Sequence, residues 1–168
     1  VQDAVRRLSL STEIVVEKND IFLQALHEAE FEAAKDFARI ANRPLARTPI
    51  KVDEALDWVQ RDALITLGVE QARAIRAAIT SNLLIITGGP GTGKTTIVNS
   101  IIRVLHRAHH SISLCAPTGR ASERLQETTG QEAKTIHRLL EYNPRTDAFA
   151  RNAEEPLDCD VLIVDEFS

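Results

Sequence analysis

Apolar and polar positions follow two rhythms along this chain, and the change comes near residue 80. Before it the spacing is mostly helical. Val5 and Leu8 mark a short helical pattern in residues 1–10. Ile14-Val15-Val16 and the run 21–26 flank Lys18-Asn19-Asp20, a turn signal that predicts a hairpin. Residues 27–42 put Ala29, Ala33, Phe37, Ile40 and Ala41 on one helical face and a solvated set of charges, Glu28 to Arg39, on the other. Pro44 and Pro49 make 43–49 a linker. Helical spacing returns over 53–64 and, after a break at Leu67-Gly68, over 70–80.

From residue 83 short apolar runs and helices take turns. A buried-strand run at 83–87 precedes a helix over 94–108 whose inner face is Ile97, Ile101, Val104 and Leu105. A strand at 111–116 and a helix over 120–128 follow. Thr135 can cap a further helix through Glu141, residues 143–147 form a turn and 156–160 a loop, and a third strand occupies 161–164. Strand, helix, strand, helix, strand predicts right-handed crossovers and a parallel sheet. The expected organisation is residues 1–50, a small mainly helical segment with one hairpin and the linker, then an α/β domain over 51–168.

Composition alters this picture little. With 43% hydrophobic and 26% charged residues in 168, a sizeable core is available to one domain, or to one and part of another. The net charge of −4 speaks against bulk electrostatic attachment to nucleic acid but leaves room for local basic patches. No apolar run is long enough to span a membrane, and no signal-peptide pattern opens the chain. Cys115 and Cys159 lie beside apolar runs without metal-ligand spacing and read as reduced core thiols of a cytoplasmic protein. Trp58, the single tryptophan, reads either as packing between helices or as a base-stacking platform. The chain has no methionine and stops just after an acidic pair, so it reads as a piece of something longer.

The chemistry is concentrated in the second half. Gly88-Gly89-Pro90-Gly91-Thr92-Gly93-Lys94-Thr95-Thr96 follows the first apolar run and opens a helix, the context a phosphate-binding loop requires. Small residues let the backbone wrap an anion, and the helix presents unpaired N–H groups and the positive end of its dipole. Lys94 adds a mobile charge for the outer phosphates of a nucleoside triphosphate, and the Thr95 hydroxyl can bind Mg²⁺. The third run ends in Asp165-Glu166, the second half of a nucleotide-hydrolysing site: Asp165 for the Mg²⁺ shell, Glu166 to orient or deprotonate the attacking water. In parallel sheets such groups converge beyond the carboxyl ends of the strands.

Four segments in order, 88–96, Ala116-Pro117-Thr118-Gly119-Arg120-Ala121-Ser122, Thr135-Ile136-His137-Arg138-Leu139-Leu140 and Val164-Asp165-Glu166-Phe167-Ser168, resemble the RecD-like DNA helicases of superfamily 1, the type found as the alpha subunit of exodeoxyribonuclease V. The resemblance implies a RecA-like P-loop NTPase core using ATP and Mg²⁺ to move along single-stranded DNA and separate duplex in repair or recombination, with nuclease or recombination subunits as possible partners. It implies that Gln71 reads the adenine edge, as an amide can by pairing with N6 and N7 together. It also implies that Thr118, Gly119 and Arg120 grip the DNA backbone and that His137 lies near the DNA path. Read from the residues alone, Arg120 has a second reading, pairing with Glu123 or Glu127 on its own helix, and His137 suits a cap or a core equally well.

Phe167 stands where the family often has alanine. The later helicase motifs, the arginine finger and the second motor domain would lie past Ser168, so this stretch alone is expected to hydrolyse ATP poorly. The family's central strand, which follows the acidic pair and sits between the phosphate-loop strand and the Asp165 strand, is also expected there. A sheet without it leaves backbone groups unpaired and apolar faces exposed. Two other readings stay open: a nucleotide-switched binding module without translocation, and a P-loop phosphotransferase.

Overall fold

Thirteen short elements follow one another in a computed structural model that describes residues 8, 11, 13–18, 20–45, 50–89 and 91–167. The chain divides into two units between Pro44 and Leu45. In the first, β1 (Ile14–Glu17) and β2 (Asp20–Leu23) form the expected antiparallel hairpin, with Ile14 opposite Leu23. Lys18 makes the turn at φ +54°. Helix α1 (Gln24–Ala41) starts three residues before the apolar spacing predicts and buries none of its residues. Its charged side chains pair within the helix, Lys35 with Glu32 and Arg39 with Asp36. The helical pattern expected over residues 1–10 and part of the linker, 46–49, lie outside the described residues.

The second unit is built around one helix. Helices α2 (Val52–Ala63), α3 (Val69–Thr80) and α4 (Lys94–Arg107) share a core of Leu56, Val59, Ile75, Ile79, Ile101 and Leu105. Val104 and Leu105 are almost wholly buried, as their inward spacing predicts. Ion pairs fasten the helices at their rims: Arg76 to Asp53 and Arg103 to Asp62, each at 2.6 Å. Trp58 packs, half-buried, against this core with the Arg107 guanidinium 4.5 Å over its ring, so here it serves as packing between helices.

On its opposite flank α4 offers Ile102 to Leu114 and Leu125, a second core beneath the sheet. That sheet contains β3 (Ile112–Ala116), β4 (Ala133–Thr135) and β7 (Val161–Val164), all parallel in the order β4-β3-β7. Helix α5 (Gly119–Thr129) connects β3 to β4. It begins at Thr118, whose hydroxyl oxygen accepts the Ala121 N–H, and ends at Gly130, φ +68°. Parallel strands with flanking helices and a phosphate loop make this an α/β P-loop NTPase fold.

Two expectations need correction. Residues 83–87 form no strand: among the described residues they pair with nothing, and Ile85 is 78% exposed. An apolar run becomes a strand only where a neighbour completes its hydrogen bonds, and in the β4-β3-β7 sheet no described strand pairs with this run. The helix capped by Thr135 is shorter than expected, α6 (Ile136–Leu139), because Glu141 turns into the left-handed region at φ +55°. The chain then makes a small hairpin, β5 (Tyr142–Asn143) with β6 (Ala148–Phe149), around the expected 143–147 turn. No described helix is long and apolar enough to cross a membrane.

Candidate functional site

The loop at residues 88–93 keeps its shape mainly through its own groups. Thr92 Oγ1 donates to the Gly89 carbonyl at 2.9 Å, and Lys94 Nζ turns back to donate to the carbonyls of Gly88 and Gly89, the latter at 2.9 Å. Gly91 and Gly93 have φ of +76° and +82°, which a side chain would strain, and Gly93 is the residue on which α4 starts. A Cβ on Gly88 would come within 2.8 Å of Thr92 Oγ1, so the bare backbone is needed there as well. Pro90 lies outside the described residues. Thr95 is exposed and Thr96 half-buried in the first turn of α4.

Gln71 reaches this loop from α3. Its Oε1 accepts the Gly68 N–H at 2.9 Å, tying the side chain to the start of its own helix. Its Nε2 lies over Gly93, where a Cβ would run into it. The carbonyl oxygen keeps a second lone pair and the amide nitrogen a free hydrogen. A residue chosen for a base edge is thus held against the phosphate loop, an adjacency that sequence spacing does not reveal.

The remaining groups sit beyond the carboxyl ends of β3 and β7. Cys115 pairs with Val164, and the ladder runs one step further, the Asp165 N–H donating to the Cys115 carbonyl at 2.9 Å. Thr118, two residues past β3, and Asp165-Glu166, directly past β7, therefore follow the same carboxyl ends of two paired strands. Thr118, Gly119 and Arg120 are exposed at the start of α5. The Thr118 oxygen is used as a cap, which leaves its O–H free to donate. Among the described residues Arg120 pairs with neither Glu123 nor Glu127; the α5 arginine that finds a carboxylate is Arg124, 3.8 Å from Glu166. Glu166 has φ +53°, and Phe167 beside it is exposed.

Thr95 and Asp165 are hard oxygen donors. Oxygen donors of this kind are the ones Mg²⁺ takes, while no group of three or more His, Cys, Asp or Glu side chains able to hold a metal occurs among the described residues.

His137 is exposed, neither a cap nor a core residue. Its ring meets Tyr142 edge-on at 5.2 Å and Phe149 at 5.8 Å, and those two rings lie 5.1 Å apart. The Tyr142 hydroxyl donates to Asp147 at 2.6 Å, which holds the ring in place and pushes the phenol pKa up. Sequence reading missed Tyr142 and Phe149 as companions of His137. Their flanking of a turn signal by aromatic residues was the available clue.

Residues 71–168 match the AAA domain family, a span that runs from Gln71 through the phosphate loop to the acidic pair. The chain belongs to the AAA domain family. Within it the chain is similar to an ATP-dependent RecD2 DNA helicase of Deinococcus radiodurans, 40% identical over 137 residues, 81% of this chain and 19% of that protein. It is similar also to the RecBCD enzyme subunit RecD of Haemophilus influenzae, 39% identical over 122 residues, 58% of this chain and 19% of the relative. The ATP-dependent DNA helicase dda of Enterobacteria phage T4 is 42% identical over 89 residues, 49% of this chain and 20% of that helicase. The chain therefore spans about a fifth of the length of these relatives. The AAA domain is one of nucleotide use, which agrees with the loop chemistry.

Proposed function

We propose that this chain is the nucleotide-binding part of an ATP-dependent DNA helicase of RecD type, acting on single-stranded DNA, a type that some relatives' names give as a subunit of a RecBCD enzyme. The observation that carries the reading is that Thr118–Arg120 and Asp165-Glu166 follow the carboxyl ends of the paired parallel strands β3 and β7, in a chain whose relatives are named as helicases.

In this reading ATP phosphates replace the Gly88 and Gly89 carbonyls as partners of Lys94, and the N–H groups opening α4 point at the same oxygens. Gln71 takes the adenine edge while its contact with Gly93 keeps the base end and the phosphate end of the site in register. Thr95 and Asp165 would hold Mg²⁺, which supplies charge neutralisation for the transferring phosphoryl group. Glu166 orients and deprotonates the attacking water. Thr118 O–H, the Gly119 N–H and the Arg120 guanidinium donate to DNA phosphates, and His137 with Tyr142 and Phe149 offers faces on which bases stack.

The test uses the full-length protein that carries these residues. Its ATP turnover should rise on adding single-stranded DNA, and it should separate a tailed duplex. Lys94→Ala should lower kcat/KM for ATP by about 10²–10³, the scale of removing one preorganised charge-stabilising donor. Phosphate transfer to a nucleoside in place of release to water would overturn the reading in favour of a phosphotransferase. Nucleotide-dependent partner binding without unwinding would overturn it in favour of a switched module.

A further inference from the structure

The short connection between α2 and α3 is held by two glutamine side chains, one from each helix. Gln60 Oε1 accepts the Leu67 N–H at 2.9 Å, and Gln71 Oε1 accepts the Gly68 N–H at 2.9 Å. The Leu67 side chain packs against the core, and the Gly68 carbonyl accepts the Ala72 N–H at 2.9 Å. The Gly68 N–H is therefore a donor anchored on both sides. At its other end the Gln71 amide rests with Nε2 against the bare Cα of Gly93. Backbone thus places both ends of this amide, the oxygen at Gly68 and the nitrogen at Gly93.

Which end of an amide is oxygen decides what base it reads. An N–H can be accepted by Oε1 and not by Nε2, so the bond from Gly68 settles the orientation. The second lone pair of Oε1 is then free to accept from an amino group while Nε2 donates to a ring nitrogen, the pattern that N6 and N7 of adenine present. A purine with an oxygen at position 6 sets acceptor against acceptor at the same place. An unrestrained amide escapes that conflict by swinging its carbonyl aside and offering both hydrogens of Nε2 to the oxygen and N7. An amide tied to Gly68 must first break the bond.

We infer that the Gly68 N–H is a positioning group that pins the carbonyl of Gln71 and thereby makes the nucleotide site selective for 6-aminopurines over 6-oxopurines. The inference rests on the reading of Gln71 as the residue at the base edge. It adds to that reading the device that keeps the amide from accommodating the wrong purine.

The experiment measures competition of three triphosphates for the full-length protein: ATP, purine riboside triphosphate, which has hydrogen at position 6, and inosine triphosphate, which has oxygen there. In the unsubstituted protein ATP should bind most tightly and inosine triphosphate least, roughly ten- to hundredfold below ATP, the cost of an acceptor left unmatched. Gly68→Ala keeps the N–H, and its Cβ meets Oε1 at 3.6 Å, an ordinary contact, so the order should persist. Gly68→Pro removes the N–H at a φ of −66° that proline adopts. Inosine triphosphate should then gain roughly three- to tenfold on ATP, about one net hydrogen bond, and draw level with purine riboside triphosphate. Gln71→Ala should bring the three ligands within about twofold.

Inosine triphosphate binding as tightly as purine riboside triphosphate in the unsubstituted protein, with ATP still preferred, overturns the inference and leaves the base-edge reading standing. That comparison decides even where Gly68→Pro fails to fold. A folded Gly68→Pro with the original order also overturns it. If the three bind alike in the unsubstituted protein, or keep their order in Gln71→Ala, the base-edge reading falls and the inference with it.

Discussion

Two runs in this chain, Leu83-Leu84-Ile85-Ile86-Thr87 and Val161-Leu162-Ile163-Val164, have nearly the same apolar content and precede the two loops that carry the chemistry. One is a strand and the other is not. Val161–Val164 lies in register with Ile112–Cys115, and Ile163 packs against both cores. Residues 83–87 have no ladder partner among the described residues, and of their apolar side chains Ile86 packs against the core. Exposure follows the same division: Ile85 is 78% open, whereas Ile163 is half-buried. The difference teaches that strand propensity is an offer which a partner must accept. It also separates the phosphate loop from the strand that usually presents it. The loop is held by Thr92, by Lys94 and by a helix anchored through Ile97 and Ile101, and those supports are present without a ladder beneath 83–87.

The contrast can be broken most directly by truncating one side chain from each region. Leu114→Ala, in the laddered sheet and 3% exposed, should cost about 2–5 kcal/mol in denaturant unfolding. Ile85→Ala should cost no more than about 0.5 kcal/mol. Equal losses would mean that 83–87 is packed in solution as tightly as β3, and the distinction between the runs would fall.

A smaller effect tests whether the loop is self-supporting. Gly93→Ala imposes φ +82° on a side chain and drives its Cβ into Gln71, so α4 should start less firmly, by roughly 1–2 kcal/mol. Nucleotide titration followed by calorimetry should then show weakened binding. The double variant Gly93→Ala with Gln71→Ala, which removes the obstructing amide together with the group proposed for the adenine edge, should recover part of the lost stability in denaturant unfolding but not the affinity. An affinity unchanged in Gly93→Ala would show that the Gln71 contact is incidental.

The smallest effect concerns how β7 is fastened at its start. Asp160 Oδ2 accepts both the Ser111 N–H at 2.7 Å and the Ser111 hydroxyl at 2.9 Å, with His110 nearby. The backbone N–H of Ser111, then its hydroxyl, holds the Asp160 carboxyl below its ordinary pKa. A lowered folded pKa contributes stability that is complete above the unfolded value, about 3.9, and is lost as pH falls through the folded one. Asp160→Asn should therefore be slightly less stable than the parent at pH 7, and the gap should close below about pH 4. A gap that widens on acidification would assign the effect to some other group.

Much of this arrangement was legible because its signals are local. The inward set Ile97, Ile101, Val104 and Leu105 places α4 almost to the residue, and Thr118 and Gly130 bracket α5 as cap residues do. The loop glycines are needed for reasons visible in their own dihedrals. What could not be read depends on partners far along the chain. Ala133-Lys134-Thr135 is too short for its alternation to register and becomes β4 because β3 lies beside it. Residues 83–87 fail for the converse reason. Tyr142 and Phe149 belong to strands of two residues each, too short for any period to register. The contact of Gln71 with Gly93, and that of Arg124 with Glu166, span 22 and 42 residues, by subtraction of their positions. Spacing within a motif carries no trace of either.

The lysine bent back on its own loop has a further consequence. With its ammonium already bound to two backbone carbonyls, Lys94 does not wait as a bare charge for an anion to capture. Nucleotide arrival is an exchange of acceptors, carbonyl oxygens for phosphate oxygens, and only the difference between the two contributes to affinity. A small anion that offers Lys94 little more than Gly88 and Gly89 already do gains almost nothing by entering. A polyphosphate also engages the N–H groups of α4 and repays the exchange several times over. On the reading proposed above, the loop therefore discriminates by the number of phosphates its ligand brings, before the base is read at all.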